Sequence, residues 1–118
     1  MAQREIIHVL SIEDHPPDAR LIRENLAQAQ RIGWGLPHFE VEWVGKLSEG
    51  FTRLEAAVAG EKGAIDIVLT DLDLPDSPAD QTFAKLRQHF PHLPIVVLTG
   101  REDPELARTT VRAGAHDY

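Results

Sequence analysis

The chain has 118 residues, a length that fits one domain whose hydrophobic core needs no disulfide or metal to hold it together. It contains no cysteine, so disulfides, thiolate zinc sites and cysteine nucleophiles are excluded. Twelve basic residues stand against nineteen acidic ones, and the net charge of −7 makes the chain by itself a poor binder of nucleic acid.

The first predicted elements are a strand, a helix and a second strand. Residues 6–12 are apolar and rich in β-branched side chains, which predicts a buried strand. Residues 16–18 (Pro-Pro-Asp) are typical of a helix start, and apolar residues follow at helical spacing as far as Ala29. After a break at residues 33–37, the alternating stretch 39–44 predicts an edge strand with one wetter face.

The rest of the chain repeats this alternation. Ser48 is the predicted cap of a second helix, and an apolar strand follows over residues 65–70. A third helix precedes a fourth strand over residues 94–98. Residues 103–114 predict a fourth helix, and residues 116–118 the beginning of a fifth strand.

The order βαβαβαβαβ with short connections predicts an α/β fold, in which helices cover both faces of a doubly wound parallel sheet. In the flavodoxin-like order 2-1-3-4-5, strands one, three and four are neighbours. We treat residues 1–118 as a single domain that lacks the end of strand five and helix five.

The side chains able to do chemistry follow those three neighbouring strands. Glu13 and Asp14 come after the first strand, Asp71 after the third and Thr99 after the fourth. An Asp after a strand is more often a cap or turn residue, so the joint placement carries the prediction. Because ligands of open α/β sheets bind at the carboxyl ends of the strands, we expect one site here.

Three carboxylates held together repel one another. At about 4 Å and an effective dielectric of about 20, each pair costs roughly 4 kcal/mol, so one carboxyl stays protonated or a cation neutralises the group. Oxygen ligands without histidine or cysteine favour Mg²⁺ or Mn²⁺ over zinc. Beside such an ion Asp71 can accept a phosphoryl group, with Asp14 as a direct ligand and Thr99 as a phosphoryl contact.

With these motifs the chain resembles the receiver domains of two-component response regulators, from about Ile6 to Tyr118. The resemblance rests on four pieces in order: residues 13–14 (Glu-Asp), 71–76 (Asp-Leu-Asp-Leu-Pro-Asp), 96–100 (Val-Val-Leu-Thr-Gly) and 113–118 (Ala-Gly-Ala-His-Asp-Tyr). It implies that a sensor histidine kinase or a phosphotransfer protein donates a phosphoryl group from phosphohistidine to Asp71. We then expect a signalling domain that controls an output, and not an enzyme that turns over a substrate.

The resemblance also implies a set of metal ligands. Mg²⁺, or Mn²⁺ in its place, would be held by Asp14, Asp71 and the backbone carbonyl of Asp73. Glu13 would act mainly through water.

Further roles follow from the same resemblance. Thr99 would shift toward the phosphoryl group, and Tyr118 would change rotamer and remodel the surface made by helix four, strand five and helix five. Asp73 and Arg101 would tune the lifetime of the phosphoryl group. A homodimer through the helix-four face is a habit of the family.

One departure from the family concerns a lysine. Receiver domains carry it three residues beyond the position of Tyr118, where it pairs with the phosphoryl group, and this chain stops at Tyr118. Its lysines, Lys46, Lys62 and Lys85, lie at no relevant strand end. We therefore expect either a piece of a longer protein or a degenerate receiver.

Two alternatives stay open. A pseudo-receiver would keep the fold as a docking module without phosphorylation, which the absent lysine favours and the intact acidic residues oppose. A haloacid-dehalogenase-like phosphohydrolase also uses Asp-x-Asp after a strand, as in residues 71–73, but Leu74-Pro75 replaces its usual Gly-Thr or Gly-Ser. Turnover of a phosphate ester would distinguish that enzyme from a receiver.

The sequence also indicates a location. No apolar run is long enough to span a membrane, and the start, with one basic residue and a short apolar run, lacks the pattern of a signal peptide. We expect a cytoplasmic protein that contacts neither membrane nor nucleic acid directly.

Overall fold

The structure is a computed structural model that describes residues 6–32 and 38–98. These residues form strands and helices in strict alternation: β1 (Ile6–Ile12), α1 (Pro16–Ile32), β2 (His38–Val44), α2 (Leu47–Val58), β3 (Ile67–Thr70), α3 (Thr82–His89) and β4 (Ile95–Val97). The predicted order of these seven elements is confirmed. The predicted fourth helix and fifth strand lie outside the described residues.

The four described strands form one parallel sheet in the order β2-β1-β3-β4. The predicted neighbourhood of strands one, three and four is therefore confirmed, and strand two lies at an edge of the described sheet. Ile12 is in register with both Val44 and Thr70, and Thr70 is in register with Val97. The last residues of all four strands thus form one row, which defines the carboxyl edge of the sheet.

Helices cover both faces of this sheet. Because parallel crossovers are right-handed, the step from β1 to β2 and the opposite step from β2 to β3 place α1 and α2 on opposite faces. The larger described core lies on the face of α2 and α3. Its members come from three strands, these two helices and the loop after β3: Leu10, Ile12, Leu47, Leu54, Val68, Leu72, Leu74, Phe83, Leu86, Ile95 and Val97.

Helix α2 packs closely against β1 at Gly50, where a larger residue would require the side chain of Ile12 to shift. A Cβ atom on Gly50 would lie 2.7 Å from Cδ1 of Ile12, a side chain that is completely buried. The same helix is followed by Gly60 with φ at 76°, the left-handed conformation that glycine adopts without steric cost. Both glycines fix where α2 lies and where it stops.

The predicted cap of α2 was wrong. Ser48 lies inside the helix, whose N-cap residue is Lys46, and no side chain at that position caps the helix. Asp76, in the loop after β3, instead accepts hydrogen bonds from the backbone N–H groups of Leu47 (2.8 Å) and Ser48 (2.9 Å). The cap therefore comes from a distant loop, which a search of the local sequence cannot find.

Within residues 6–32 and 38–98, no helix combines the length and the apolar character that a membrane span requires.

Candidate functional site

Three carboxylates converge at the carboxyl edge of the sheet, and we call Glu13, Asp14 and Asp71 the acidic cluster. Glu13 and Asp14 follow β1, and Asp71 follows β3. One oxygen from each of the three carboxylates lies within 4.8 Å of those of the other two. Glu13 is buried, Asp71 is partly buried and Asp14 is exposed, so the acidic cluster opens to solvent on one side.

The sheet itself holds two of these residues in place, because its ladder of hydrogen bonds runs one residue beyond the strands. The N–H of Glu13 donates to the carbonyl of Val44 (3.0 Å), and the N–H of Asp71 donates to the carbonyl of Ile12 (2.9 Å). Backbone fixed in this way gives the carboxylates little freedom to move apart when their charges repel.

Glu13 is the most perturbed carboxyl of the cluster. Only 5% of the residue is exposed, and burial, with further repulsion from Asp71 and Asp18, raises its pKa from 4.5 to about 7. The hydrogen bond that its Oε1 accepts from the N–H of His15 (3.0 Å) opposes the rise without cancelling it. Near neutral pH the carboxyl of Glu13 is therefore close to balanced between its protonated and ionised forms.

The pKa of Asp71 is also raised above its ordinary value of 3.8. Burial is the largest cause, and the charges of Asp14 and Asp73 act in the same direction. Hydrogen bonds from the N–H groups of Asp73 and Leu72 lower the pKa and offset part of this rise, the first at 3.4 Å from Oδ1. Asp71 is thus a carboxylate whose negative charge the surrounding protein only partly stabilises.

A divalent cation fits this arrangement. No ion pair between the described residues involves the acidic cluster; those pairs join His8 to Glu40, His15 to Asp18 and Arg53 to Glu42. Oxygen ligands at short mutual distances with uncompensated charge are the set that Mg²⁺ and Mn²⁺ prefer in proteins. The same ions would offset the repulsion that adds to burial in raising the pKa of Glu13 and of Asp71.

Hydrogen bonds to neighbouring residues restrain the loop after β3, which carries Asp71 and Asp73. The buried hydroxyl of Thr82 donates to the carbonyl of Leu72 (2.5 Å) and lies 2.8 Å from the hydroxyl of Ser77. Leu74 and Ser77 form a two-residue bridge with reciprocal backbone hydrogen bonds of 3.2 Å. With its far end also bound to α2 through Asp76, the loop has little freedom of its own.

Sequence reasoning missed one contact at the site. The indole N–H of Trp43, near the end of β2, donates to the backbone carbonyl of Glu13 over 2.6 Å. The sequence indicates only that Trp43 lies on an edge strand and is half buried. Its contact with Glu13 depends on the register that places Trp43 opposite Ser11, two residues before Glu13.

Of the other site residues predicted from the sequence, only Asp73 lies in the part of the chain that the structure describes. Asp73 is exposed two residues beyond Asp71, with its N–H directed to Asp71. Thr99, Arg101 and Tyr118 lie outside the described residues.

Comparison with known proteins gives the family. Residues 9–118 match the family described as the response regulator receiver domain. The chain belongs to this family. It is accordingly a receiver domain of two-component signalling, and receiver domains are signalling domains that are generally not enzymes.

Several curated relatives are similar over almost the whole chain. The two-component response regulator ORR1 of Oryza sativa subsp. japonica is 26% identical, over 98% of this chain and 49% of its own length. The probable C4-dicarboxylate response regulator DctR of Halalkalibacterium halodurans is 27% identical, over 100% of this chain and 46% of its own length. The receiver domain thus spans about half the length of these relatives.

Solved structures agree on the fold. The phosphorylated cyanobacterial phytochrome response regulator RcpA superposes with a TM-score of 0.76 at 24% identity, covering 98% of this chain and 79% of that one. The Mn²⁺-bound form of response regulator Rcp1 superposes with a TM-score of 0.76 at 20% identity, and the match covers 95% of this chain and 78% of the Rcp1 chain. The fold is therefore flavodoxin-like, and these similarities support neither the phosphohydrolase nor the pseudo-receiver alternative.

Proposed function

We propose that Asp71 is the phospho-acceptor of this receiver domain, taking a phosphoryl group from the phosphohistidine of a sensor histidine kinase or a phosphotransfer protein. The observation that carries the proposal is the convergence of Glu13 and Asp14 on Asp71, with Asp71 at the end of a central strand. Asp71 is the only member that follows β3, and the fixed loop beyond it leaves its carboxylate at the open edge of the sheet.

The proposal includes a Mg²⁺ ion, with Mn²⁺ as a substitute. Asp14, Asp71 and the backbone carbonyl of Asp73 would hold the ion, and Glu13 would act mainly through water. When bound, the ion supplies positive charge that offsets the negative charge on the phosphoryl oxygens. The Mn²⁺ described for Rcp1, a protein of the same fold, is consistent with this choice.

The transfer step needs an ionised Asp71. One oxygen of its carboxylate forms a bond to phosphorus while the bond from phosphorus to the histidine nitrogen breaks. The electron pair of that bond returns to the imidazole, which takes up a proton, and an acyl phosphate remains on Asp71. Burial and neighbouring negative charge raise the pKa of Asp71 and so disfavour its ionised form. Positive charge nearby would lower this pKa and favour the ionised carboxylate, which is the reactive form.

Downstream of transfer, the proposed signal runs through Thr99 and Tyr118, which lie outside the described residues. Thr99 would contact the phosphoryl group, and Tyr118 would respond by changing rotamer. Asp73 and Arg101 would tune how long the phosphoryl group lasts. The output surface would be that of helix four, strand five and helix five, a population shift between two states.

The remaining parts of the proposal concern the whole protein. Residues 1–118 would be one receiver domain with a five-stranded sheet, acting in the cytoplasm without membrane or direct nucleic-acid contact. A homodimer through the helix-four face is part of this proposal. What the domain controls depends on the protein that contains it.

The test is intact-mass spectrometry of the protein at its full natural length after incubation with Mg²⁺ and a small-molecule phosphodonor. We expect one phosphoryl addition, absent in Asp71→Asn and when a chelator removes Mg²⁺. The matched control is Asp80→Asn, which removes one exposed carboxylate near the start of α3 but none from the acidic cluster.

Three results would overturn the proposal. Undiminished phosphorylation of Asp71→Asn would show that another residue is the acceptor. No addition to a folded wild-type protein would favour a phosphorylation-independent docking module, and continuous turnover of a phosphate ester would favour the phosphohydrolase.

A further inference from the structure

Trp43 joins the edge of the sheet to the acidic cluster. Its indole N–H donates to the carbonyl of Glu13 over 2.6 Å, although 42% of the residue is exposed to solvent. An exposed tryptophan could turn its ring away, because water would satisfy its single N–H equally well. The short hydrogen bond instead fixes the ring against the backbone that leaves β1.

This bond completes a double attachment of the Glu13 backbone to β2. The N–H of Glu13 is held by the carbonyl of Val44 (3.0 Å), and its carbonyl is held by the indole of Trp43. Both peptide units that flank Glu13 are therefore bound to the same edge strand. The direction of the Glu13 side chain and the start of the Asp14 peptide follow from these two contacts.

The segment after Glu13 is a short connection between β1 and α1, and its His15 end is bound to the first turn of the helix through the N–H groups of Asp18 and Ala19. Asp14 is exposed, and residues 13–15 are bound to each other by the contact between the Glu13 carboxylate and the N–H of His15 (3.0 Å). Helix α1 begins only at Pro16. Between the strand and the helix, the indole of Trp43 is thus the side chain that holds the backbone carbonyl of Glu13.

We propose that Trp43 is a positioning residue for divalent-cation binding by the acidic cluster. It would act through the Glu13 backbone, keeping the carboxylates of Glu13 and Asp14 turned toward Asp71. This inference rests on the proposed function, because it requires that the cluster binds Mg²⁺. Trp43 itself touches neither the ion nor the phosphoryl group.

The informative change is Trp43→Phe, which keeps an aromatic ring and removes the N–H donor. We expect the dissociation constant for Mg²⁺ to rise about three- to tenfold, the effect of one lost hydrogen bond that orients a ligand. The matched control is Phe39→Leu, on the same strand and face of β2 but at its far end, opposite Ile7. That control should bind Mg²⁺ as the wild type does.

Isothermal titration calorimetry of Mg²⁺ binding measures this difference directly. A second measurement follows the indole N–H resonance of Trp43 by nuclear magnetic resonance, assigned in the wild-type protein itself from through-bond and through-space correlations. In wild-type protein this resonance should shift with added Mg²⁺ and saturate at the calorimetric dissociation constant. It should not shift in Asp14→Asn, where the cluster has lost a ligand.

The outcomes separate the two proposals. If wild type binds Mg²⁺ but Trp43→Phe binds it equally well, or the indole resonance does not move at saturation, the role of Trp43 is refuted and the proposed function stands. If folded wild type binds no Mg²⁺, the proposed metal site fails and the role of Trp43 fails with it. The resonance of the wild type decides the matter even if Trp43→Phe does not fold.

Discussion

At the scale of single residues, the acidic cluster opposes the stability of the fold that builds it. Glu13 is buried with Asp71 close by, and its pKa is raised to about 7. Between pH 4.5 and about 7 the folded protein therefore holds a proton on Glu13 that the unfolded chain has released. Stability falls with rising pH wherever the unfolded state binds fewer protons.

This linkage predicts the pH dependence of the metal-free protein. From pH 5 to pH 8 the free energy of unfolding should fall by about 2 kcal/mol, since one unit of pKa shift corresponds to about 1.4 kcal/mol. Glu13→Gln, which imitates the protonated carboxyl, should remove most of this fall. Urea denaturation at both pH values in the presence of a chelator measures it, and an equally steep fall in Glu13→Gln would assign the effect to other groups.

The convergence of the acidic cluster could be predicted because it depends only on where strands end. Residues that follow neighbouring parallel strands must meet at one edge of the sheet. The convergence of Glu13, Asp14 and Asp71 could therefore be predicted without knowledge of side-chain packing. Predicting the hydrogen bond from Trp43 to Glu13 would have required the register of β1 against β2 and the rotamer of an exposed ring. Neither of these is encoded in the local pattern of apolar and polar residues.

At the scale of secondary-structure elements, Asp76 links two parts of the fold. It belongs to the loop that carries Asp71, yet its carboxylate caps the first turn of α2. Burial by itself would raise its pKa, but the hydrogen bonds from Ser48 and Leu47 outweigh that effect and the pKa is lowered. The ionised carboxylate is thus the form that binds the helix, where the helix dipole also favours negative charge.

We expect Asp76→Ala to lower the free energy of unfolding by about 1 kcal/mol at pH 7, the usual cost of a lost N-cap. Since the folded pKa lies below the unfolded one, this contribution is present above the unfolded pKa and is lost as pH falls through the folded pKa. Urea denaturation at neutral and acidic pH tests both statements. Asp80→Ala removes an exposed acid from the same region and should change little; a similar loss there would argue against capping.

The alternation of elements was predictable, whereas their ends were less so. Apolar runs with flanking prolines and glycines located seven elements in the correct order. The predicted third strand began at residue 65, but β3 begins at Ile67. The N–H of Asp66 donates to the carbonyl of His8 (2.8 Å), but the N–H of His8 donates to the carboxylate of Asp66 (2.8 Å) and not to a backbone carbonyl of this strand. Ser48 failed as a cap for a similar reason: a carboxylate distant in sequence took the role.

At the scale of the whole molecule, the acidic cluster is attached to the centre of the fold. Strands β1 and β3, which carry it, are the inner pair of the described sheet and bury Leu10, Ile12 and Val68 completely. Strain from repelling carboxylates therefore acts on the same residues that hold the domain together. Any ion that relieves the repulsion should stabilise the entire domain and not only the loops around it.

Binding of Mg²⁺ should accordingly appear as global stability. At pH 8 and a Mg²⁺ concentration of about 100 times the dissociation constant, we expect the free energy of unfolding to rise by about 2.7 kcal/mol over metal-free protein. Urea denaturation with and without Mg²⁺ measures this rise, and Asp14→Asn should lose most of it while Asp80→Asn keeps it. Sodium chloride at equal ionic strength is the decisive comparison, because the net charge of −7 means that simple screening also stabilises the fold. If the salt alone reproduces the full rise, the ion acts on the overall charge of the molecule and the acidic cluster is not its site.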